Sequence, residues 1–271
     1  VAVPIHLEYK DADTKLIYAQ CTKKNKQTSN EIDKMDITGS EEVPGCELAI
    51  TDAEGNTILS WTSGGADSVK ISENEIAGYR NLKASFDEKG NLHINGLLHD
   101  KEYTLTETRP ASGYVTAESI CYMLRQNISA DGTVSPVTAI RNKDGVFVVQ
   151  SDDKVIMKDD MTKIRLIKLD KKTGQGLHGA KFEVSDEDGN VVTTFISTED
   201  GVDITGLLTV GQTYTFTEIS APEGYQIAKP VKYTVKDTAE IQNVSVTDKR
   251  VPTITPPVPQ TGGNIPVFPI A

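Results

Sequence analysis

The sequence predicts an all-β chain made of tandem β-sandwiches. Three observations point there: period-2 apolar runs, regularly spaced turn signals, and an internal repeat. The runs TKIRLIKLD (162–170), KFEVSD (181–186), TYTFTEI (213–219) and NVSVTDK (243–249) alternate and are rich in Val, Ile, Thr, Tyr and Phe. Between such runs lie Glu54-Gly55-Asn56, Glu88-Lys89-Gly90-Asn91, Ala130-Asp131-Gly132, Lys143-Asp144-Gly145 and Asp188-Gly189-Asn190. These dipeptides favour the tight turns that join antiparallel strands. No window carries a helical apolar stripe. Strands recurring every ~8–12 residues read as sandwiches.

The repeat sets the domain organisation. Lys34 and Lys168, Asp36 and Asp170, Gly45 and Gly179, and Gly55-Asn56 and Gly189-Asn190 recur at one constant spacing. Further on, YTLTETRPASGY (103–114) echoes YTFTEISAPEGY (214–225). Two units follow, 28–160 and 161–250. The first is longer around 64–90 and 126–150, which read as added hairpins. Residues 1–27 fit the closing strands of a preceding, truncated unit, with Asn25 where Asp159 stands in the next. The opening VAVPIHLEYK alternates like a strand, so a longer precursor is expected. Residues 251–271 form a Pro-rich linker that favours extended conformations over a packed fold.

Composition narrows the function. The 271 residues carry a formal charge of −11. That disfavours nucleic acid, which needs a basic face, and an anionic membrane surface. No complete transmembrane span is expected, the closing IPVFPIA being too short for one and reading as the start of a span cut short. Four scattered histidines and three cysteines (Cys21, Cys46, Cys121) form no metal-ligand spacing and no disulfide scaffold. No phosphate loop, dinucleotide fingerprint or nucleophile elbow occurs, so no cofactor, metal or enzyme active site is expected. The acidic turn DEDGN (186–190) lacks calcium-loop spacing and reads as a hairpin turn. Trp61 reads as a half-buried aromatic at a strand end, with a glycan platform as the alternative. A Cys46–Cys121 disulfide is not expected.

The informative residues are charged ones on apolar faces. Lys168 shares its strand face with Ile164 and Leu166, Glu218 with Tyr214 and Phe216, and Asp248 with Val244 and Val246. In the first unit Lys34 follows Ile32, Glu107 follows Tyr103 and Leu105, and Asp159 follows Val155 and Met157. Asp160, the alternative acceptor, is turned outward by period 2. Charged residues are rarely buried unless paired. One reading is a buried ion pair with a second carboxylate nearby. The other is covalent. Burial favours the neutral forms of amine and carboxyl, so the amine becomes a nucleophile and the protonated acid can be attacked at its carbonyl carbon. A neighbouring glutamic acid can polarise that carbonyl and shuttle protons. The product is a Lys–Asp isopeptide bond.

The order KLD (168–170), LHGAKFEV (177–184), YTFTEISAPEGY (214–225), VSVTD (244–248) resembles the collagen-adhesin B-type (CnaB, SpaA-like) domains of Gram-positive surface proteins and pilins. KMD (34–36), VPGCELAI (43–50), YTLTETRPASGY and VIMKD (155–159) resemble them more loosely, with Cys46 in place of alanine and Pro110 one position early. The resemblance implies tandem Ig-like/prealbumin-like β-sandwiches. It also implies isopeptide cross-links Lys34–Asp159 and Lys168–Asp248, promoted by Glu107 and Glu218. Val258-Pro259-Gln260-Thr261-Gly262 resembles the LPxTG sortase motif, with Val for Leu, and implies an extracellular, cell-wall-anchored protein. The implied partners are sortase and peptidoglycan or other pilin subunits. Two functions follow: a structural stalk or pilin subunit, or an adhesin that binds a host protein or glycan through the 64–90 and 126–150 insertions. The polar character of those segments favours the stalk. With Thr261→Ala, a sortase supplied with an amine donor is expected to leave the chain uncut; mass spectrometry of the reaction checks this.

Overall fold

The computed structural model describes residues 6–9, 17–20, 28–65, 67–72 and 81–253. It is all-β among those residues. Strands β1 (His6–Tyr9) and β2 (Ile17–Gln20) pair antiparallel. The chain separates into two compact units. One comprises residues 1–162 with 237–239; the other comprises 163–236 with 240–271.

The second unit shows the plan in its simplest form. Its strands are β14 (Lys163–Asp170), β15 (Lys181–Ser185), β16 (Val191–Ile196), β17 (Val202–Thr205), β18 (Thr213–Ser220), β19 (Val231–Thr234) and β20 (Gln242–Asp248). They form two sheets, ordered β17-β14-β20 and β16-β15-β18-β19. Strand alternation decides what lies between the sheets. β14 buries every second residue, as do β18 and β20 along the core. Ile164, Leu166, Phe182, Val184, Phe216, Val244 and Val246 form the core. The Phe182 and Phe195 rings stack with centroids 5.6 Å apart.

The first unit repeats this plan with β3 (Ser29–Asp36), β4 (Glu47–Asp52), β5 (Thr57–Thr62), β8 (Leu92–Asn95), β9 (Glu102–Arg109), β10 (Ile120–Ile128) and β13 (Lys154–Asp159). Four strands have no counterpart: β6 (Lys70–Ile71), β7 (Lys83–Phe86), β11 (Val134–Arg141) and β12 (Phe147–Val149). They fall in the two longer segments and extend the sheets to β13-β3-β8-β7 and β12-β11-β10-β9-β4-β5-β6. β7–β8 and β10–β11 are antiparallel neighbours, so the added segments pair as hairpins do.

In both units the first and last strands lie side by side and parallel. Lys34 faces Met157 in register and Asp36 faces Asp159; Lys168 faces Val246 and Asp170 faces Asp248. No hairpin can make this pairing, because the partners are separated by the whole unit.

The turns have a common construction. In Asp52–Asn56, Asp87–Asn91 and Asp186–Asn190 the aspartate Oδ1 accepts the amide N–H of the asparagine four residues on, at 2.8, 3.0 and 2.8 Å. Gly55, Gly90 and Gly189 take φ of 86°, 91° and 86°, a region glycine enters without steric cost. Asp186 of DEDGN is thus occupied by its own turn. Trp61 differs from expectation. It is 4% exposed and belongs to the core, so it is neither half-buried nor a glycan platform. Cys46 and Cys121 are free thiols.

Gly176 approaches another segment closely: a Cβ there would lie 1.9 Å from the carbonyl oxygen of Glu199. Gly176→Ala is expected to destabilise the second unit by about 1–3 kcal/mol through backbone displacement, measured as a lowered thermal unfolding midpoint.

Candidate functional site

Each core contains one lysine between two carboxyl groups. In the second unit, parallel pairing puts Lys168 one inward position before Asp248 on the neighbouring strand. The lysine side chain spans that step, and Nζ contacts Asp248 Oδ1. Glu218 projects from the opposite sheet, its Oε2 2.9 Å from the same Nζ. The Phe182 ring centroid lies 5.4 Å from Nζ. All three charged side chains are buried, Lys168 completely.

The first unit repeats the geometry. Lys34 Nζ contacts Asp159 Oδ1 and lies 3.1 Å from Glu107 Oε1. Asp159, not Asp160, turns inward, as period 2 requires. All six residues picked from the sequence therefore meet, three in each core.

Two contributors were not foreseen. Glu107 Oε2 accepts the amide N–H of Ala117 at 2.6 Å, and Glu218 Oε2 accepts that of Ala228 at 2.6 Å. The loop after each glutamate strand returns the chain for this purpose. Gly113 and Gly224 sit at φ 84° and 80°, inside turns closed by Tyr114 N–H to Ala111 O and Tyr225 N–H to Pro222 O. The repeated Gly-Tyr was the available signal. The other contributor is Cys46, whose Sγ lies 3.5 Å from Asp159 Oδ2.

Burial dominates the electrostatics. It pushes the Asp159 carboxyl up to about 6, against the pull of Lys34 and with the help of Glu107. Asp248 is raised for the same reason, with Lys168 opposing and Glu218 reinforcing. Burial pushes the Cys46 thiol up to about 12. Each aspartate is thereby biased toward its protonated, electrophilic form.

Two groups of metal-ligand type occur among the described residues: Cys46–Glu107–Asp159 and Glu31–Asp87–His93. In each a lysine already supplies the positive charge. Lys34 sits within the first, and Lys154 Nζ lies 2.5 Å from Glu31 Oε1 in the second. The sortase-like residues Val258, Pro259, Gln260, Thr261 and Gly262 lie outside the described residues, as do Asn25 and Cys21. No described helix is long and apolar enough to cross a membrane.

The sequence profile of the SpaA prealbumin-like fold domain matches residues 28–143 and 162–250. No curated protein matches the chain. Among solved structures, the Bacillus anthracis TIE protein is 18% identical with a TM-score of 0.39; the match covers 91% of this chain and 41% of that one. This chain thus spans less than half of that protein. The shaft pilin SpaA of Lactobacillus rhamnosus GG is 15% identical (TM-score 0.34), over 85% of this chain and all of the pilin. A C-terminal fragment of the pilus adhesin SpaC from the same bacterium is 12% identical (TM-score 0.41), over 85% of this chain and all of the fragment.

Removing the cation exposes the carboxyl shift. In Lys34→Met, Asp159 keeps its burial and loses the group that opposes it, so its folded pKa rises beyond about 6. A folded pKa above the unfolded value near 3.8 means the folded state binds the extra proton. The resulting stability is full below pH ~4 and lost as pH climbs through the folded pKa. Thermal unfolding of Lys34→Met is expected to show a higher midpoint at pH 4 than at pH 8.

Proposed function

As the chain belongs to the family of SpaA prealbumin-like fold domains, whose members are structural rather than enzymatic, we propose that it is a pilin-type surface protein. In this reading the two units, 28–160 and 161–250, are each locked by an isopeptide bond, Lys34–Asp159 and Lys168–Asp248. A sortase joins Thr261 to peptidoglycan or to another pilin subunit outside the cell. The observation that carries the reading is the duplicated triad, buried and in contact at both sites.

The chemistry balances within each core. The neutral lysine amine attacks Cγ of the protonated aspartic acid. A C–N bond forms, a C–O bond breaks, and one water leaves. The glutamate takes the proton from nitrogen and returns it to the departing oxygen. The backbone amide on its Oε2 fixes the orientation for that transfer. Rigid placement in the core replaces a diffusional encounter and supplies the effective molarity.

The bond site also suits a stalk. In the second unit the chain enters through β14 and leaves through β20. A Lys168–Asp248 amide links those strands directly and spans 80 residues of sequence. Tension would pass across the amide, and the intervening strands would be shielded from it.

Adhesion is a second reading, and one observation favours it. The added β12 edge exposes Val148 and Val149, with Val146 exposed just before it. On this reading Val148→Asp would reduce attachment to a host protein or glycan while leaving the two-water deficit against its own sequence mass unchanged.

The folded chain is expected to weigh two waters less than its sequence by intact-mass spectrometry. Glu218→Ala should restore one water and lower the second unit's stability. Full sequence mass in the wild type would leave buried ion pairs alone.

A further inference from the structure

Position 46 distinguishes the two cores. Cys46 and Ala180 are structural equivalents. The Cys46 amide N–H donates to Ser63 Oγ at 2.9 Å, and the Ala180 amide to Ser197 Oγ at 3.0 Å. Those serines donate in turn to Val43 O at 2.6 Å and Leu177 O at 2.7 Å. The backbone frame is the same, so a thiol stands where the second unit has a methyl group. Its effect falls on the second carboxyl oxygen of the aspartate. Asp248 Oδ2 finds no hydrogen-bond partner among the described residues. Asp159 Oδ2 has the Cys46 thiol at 3.5 Å.

We propose that the Cys46 thiol is a catalytic hydrogen-bond donor for bond formation in the first unit, holding the oxygen of Asp159 that becomes the amide carbonyl. This rests on the Lys34–Asp159 bond proposed above. As Lys34 Nζ attacks Cγ, the C=O bond opens and negative charge gathers on oxygen. The Cys46 Sγ reaches two acceptors, Asp159 Oδ2 at 3.5 Å and Val43 O at 3.8 Å; charge gathering on Oδ2 makes it the stronger of the two, and a donor held there lowers the barrier. Oδ1, on the lysine side, is the oxygen placed to leave as water, with Glu107 beside the amine to move the protons. The thiol ends the reaction as it began, with its proton. That proton is secure, because burial holds the thiol's pKa far above neutrality. The same fact argues against Cys46 as a nucleophile, since the thiolate is the reactive species.

The magnitude follows from donor strength. Removing one strong oxyanion donor slows acyl transfer by about 10²–10³. A thiol is a weak donor, so about tenfold is expected here. The full chain would be made by cell-free synthesis, quenched in acidic denaturant at intervals and digested. The Lys34–Asp159 and Lys168–Asp248 cross-linked peptides would then be quantified by mass spectrometry. Cys46→Ala should slow the first peptide about tenfold relative to the second, which is formed in the same molecules and acts as an internal clock. Cys46→Ser, which keeps a donor, should restore the wild-type ratio. An unchanged ratio in Cys46→Ala overturns the proposal. So does a Cys46→Ser ratio as low as that of Cys46→Ala, which would make the cysteine's contribution packing. Absence of the first peptide from wild type, with the second present, overturns the first-unit bond itself and this role with it.

Discussion

An ammonium group in a protein core must be paired, neutralised or consumed. Its desolvation costs several kcal/mol even after relaxation, and here it is incurred twice. Lys168 is completely buried and Lys34 nearly so. The rest of each unit is arranged around that need. The parallel first and last strands place an aspartate one inward step from the lysine. The facing sheet brings the glutamate, and the loop after it brings an amide N–H to hold the glutamate in place. A plain ion pair would answer the electrostatic demand only in part, because breaking or distorting it leaves a charge without water. The neutral amide proposed above would remove the demand.

Parallel pairing of the first and last strands of each unit has a second consequence. Sandwich strands joined by short turns can peel from an end. Here the strands where each unit begins and ends are one another's neighbours, through registers of six and seven residue pairs. Pairing of such long range is slow to form, since loop closure precedes any gain from contact. A covalent link at that seam would preserve the outcome of the slowest step. The entropy it removes from the unfolded chain resembles that of a long-loop disulfide, a few kcal/mol in model-dependent terms. Unlike a disulfide, it cannot be reduced.

Much of this was legible in the sequence. Strand parity alone turned Lys34, Glu107 and Asp159 inward, and likewise Lys168, Glu218 and Asp248, because neighbours two residues away are apolar and the period of a strand is fixed. The repeat marked the two longer segments, and both hold added strands. What stayed hidden depends on paths that periodicity does not describe. The Ala117 and Ala228 amides reach their glutamates through irregular loops. Cys46 reads as an ordinary small buried residue until Asp159 is seen beside it. Trp61 was misjudged because its core position depends on the partner strands β4 and β6, which sequence does not place. The exposed valines of β12 were missed for a different reason: consecutive Val148 and Val149 point to opposite faces and both are exposed, so alternation marks no apolar face there.

The charge count of the triad argues that its composition is purposeful. One lysine and two carboxyls, all ionised, leave a net negative charge in a medium that cannot solvate it. Burial raises the aspartate carboxyl in both units, which favours a proton there. In the proposed reaction the glutamate is the base within reach of the lysine nitrogen, 3.1 Å away in the first unit and 2.9 Å in the second. A single carboxylate paired with the lysine would satisfy charge balance and leave no base to accept the proton from that nitrogen. On the proposed reading, the second carboxylate makes the core less comfortable as an ion pair and would supply the base that amide formation needs.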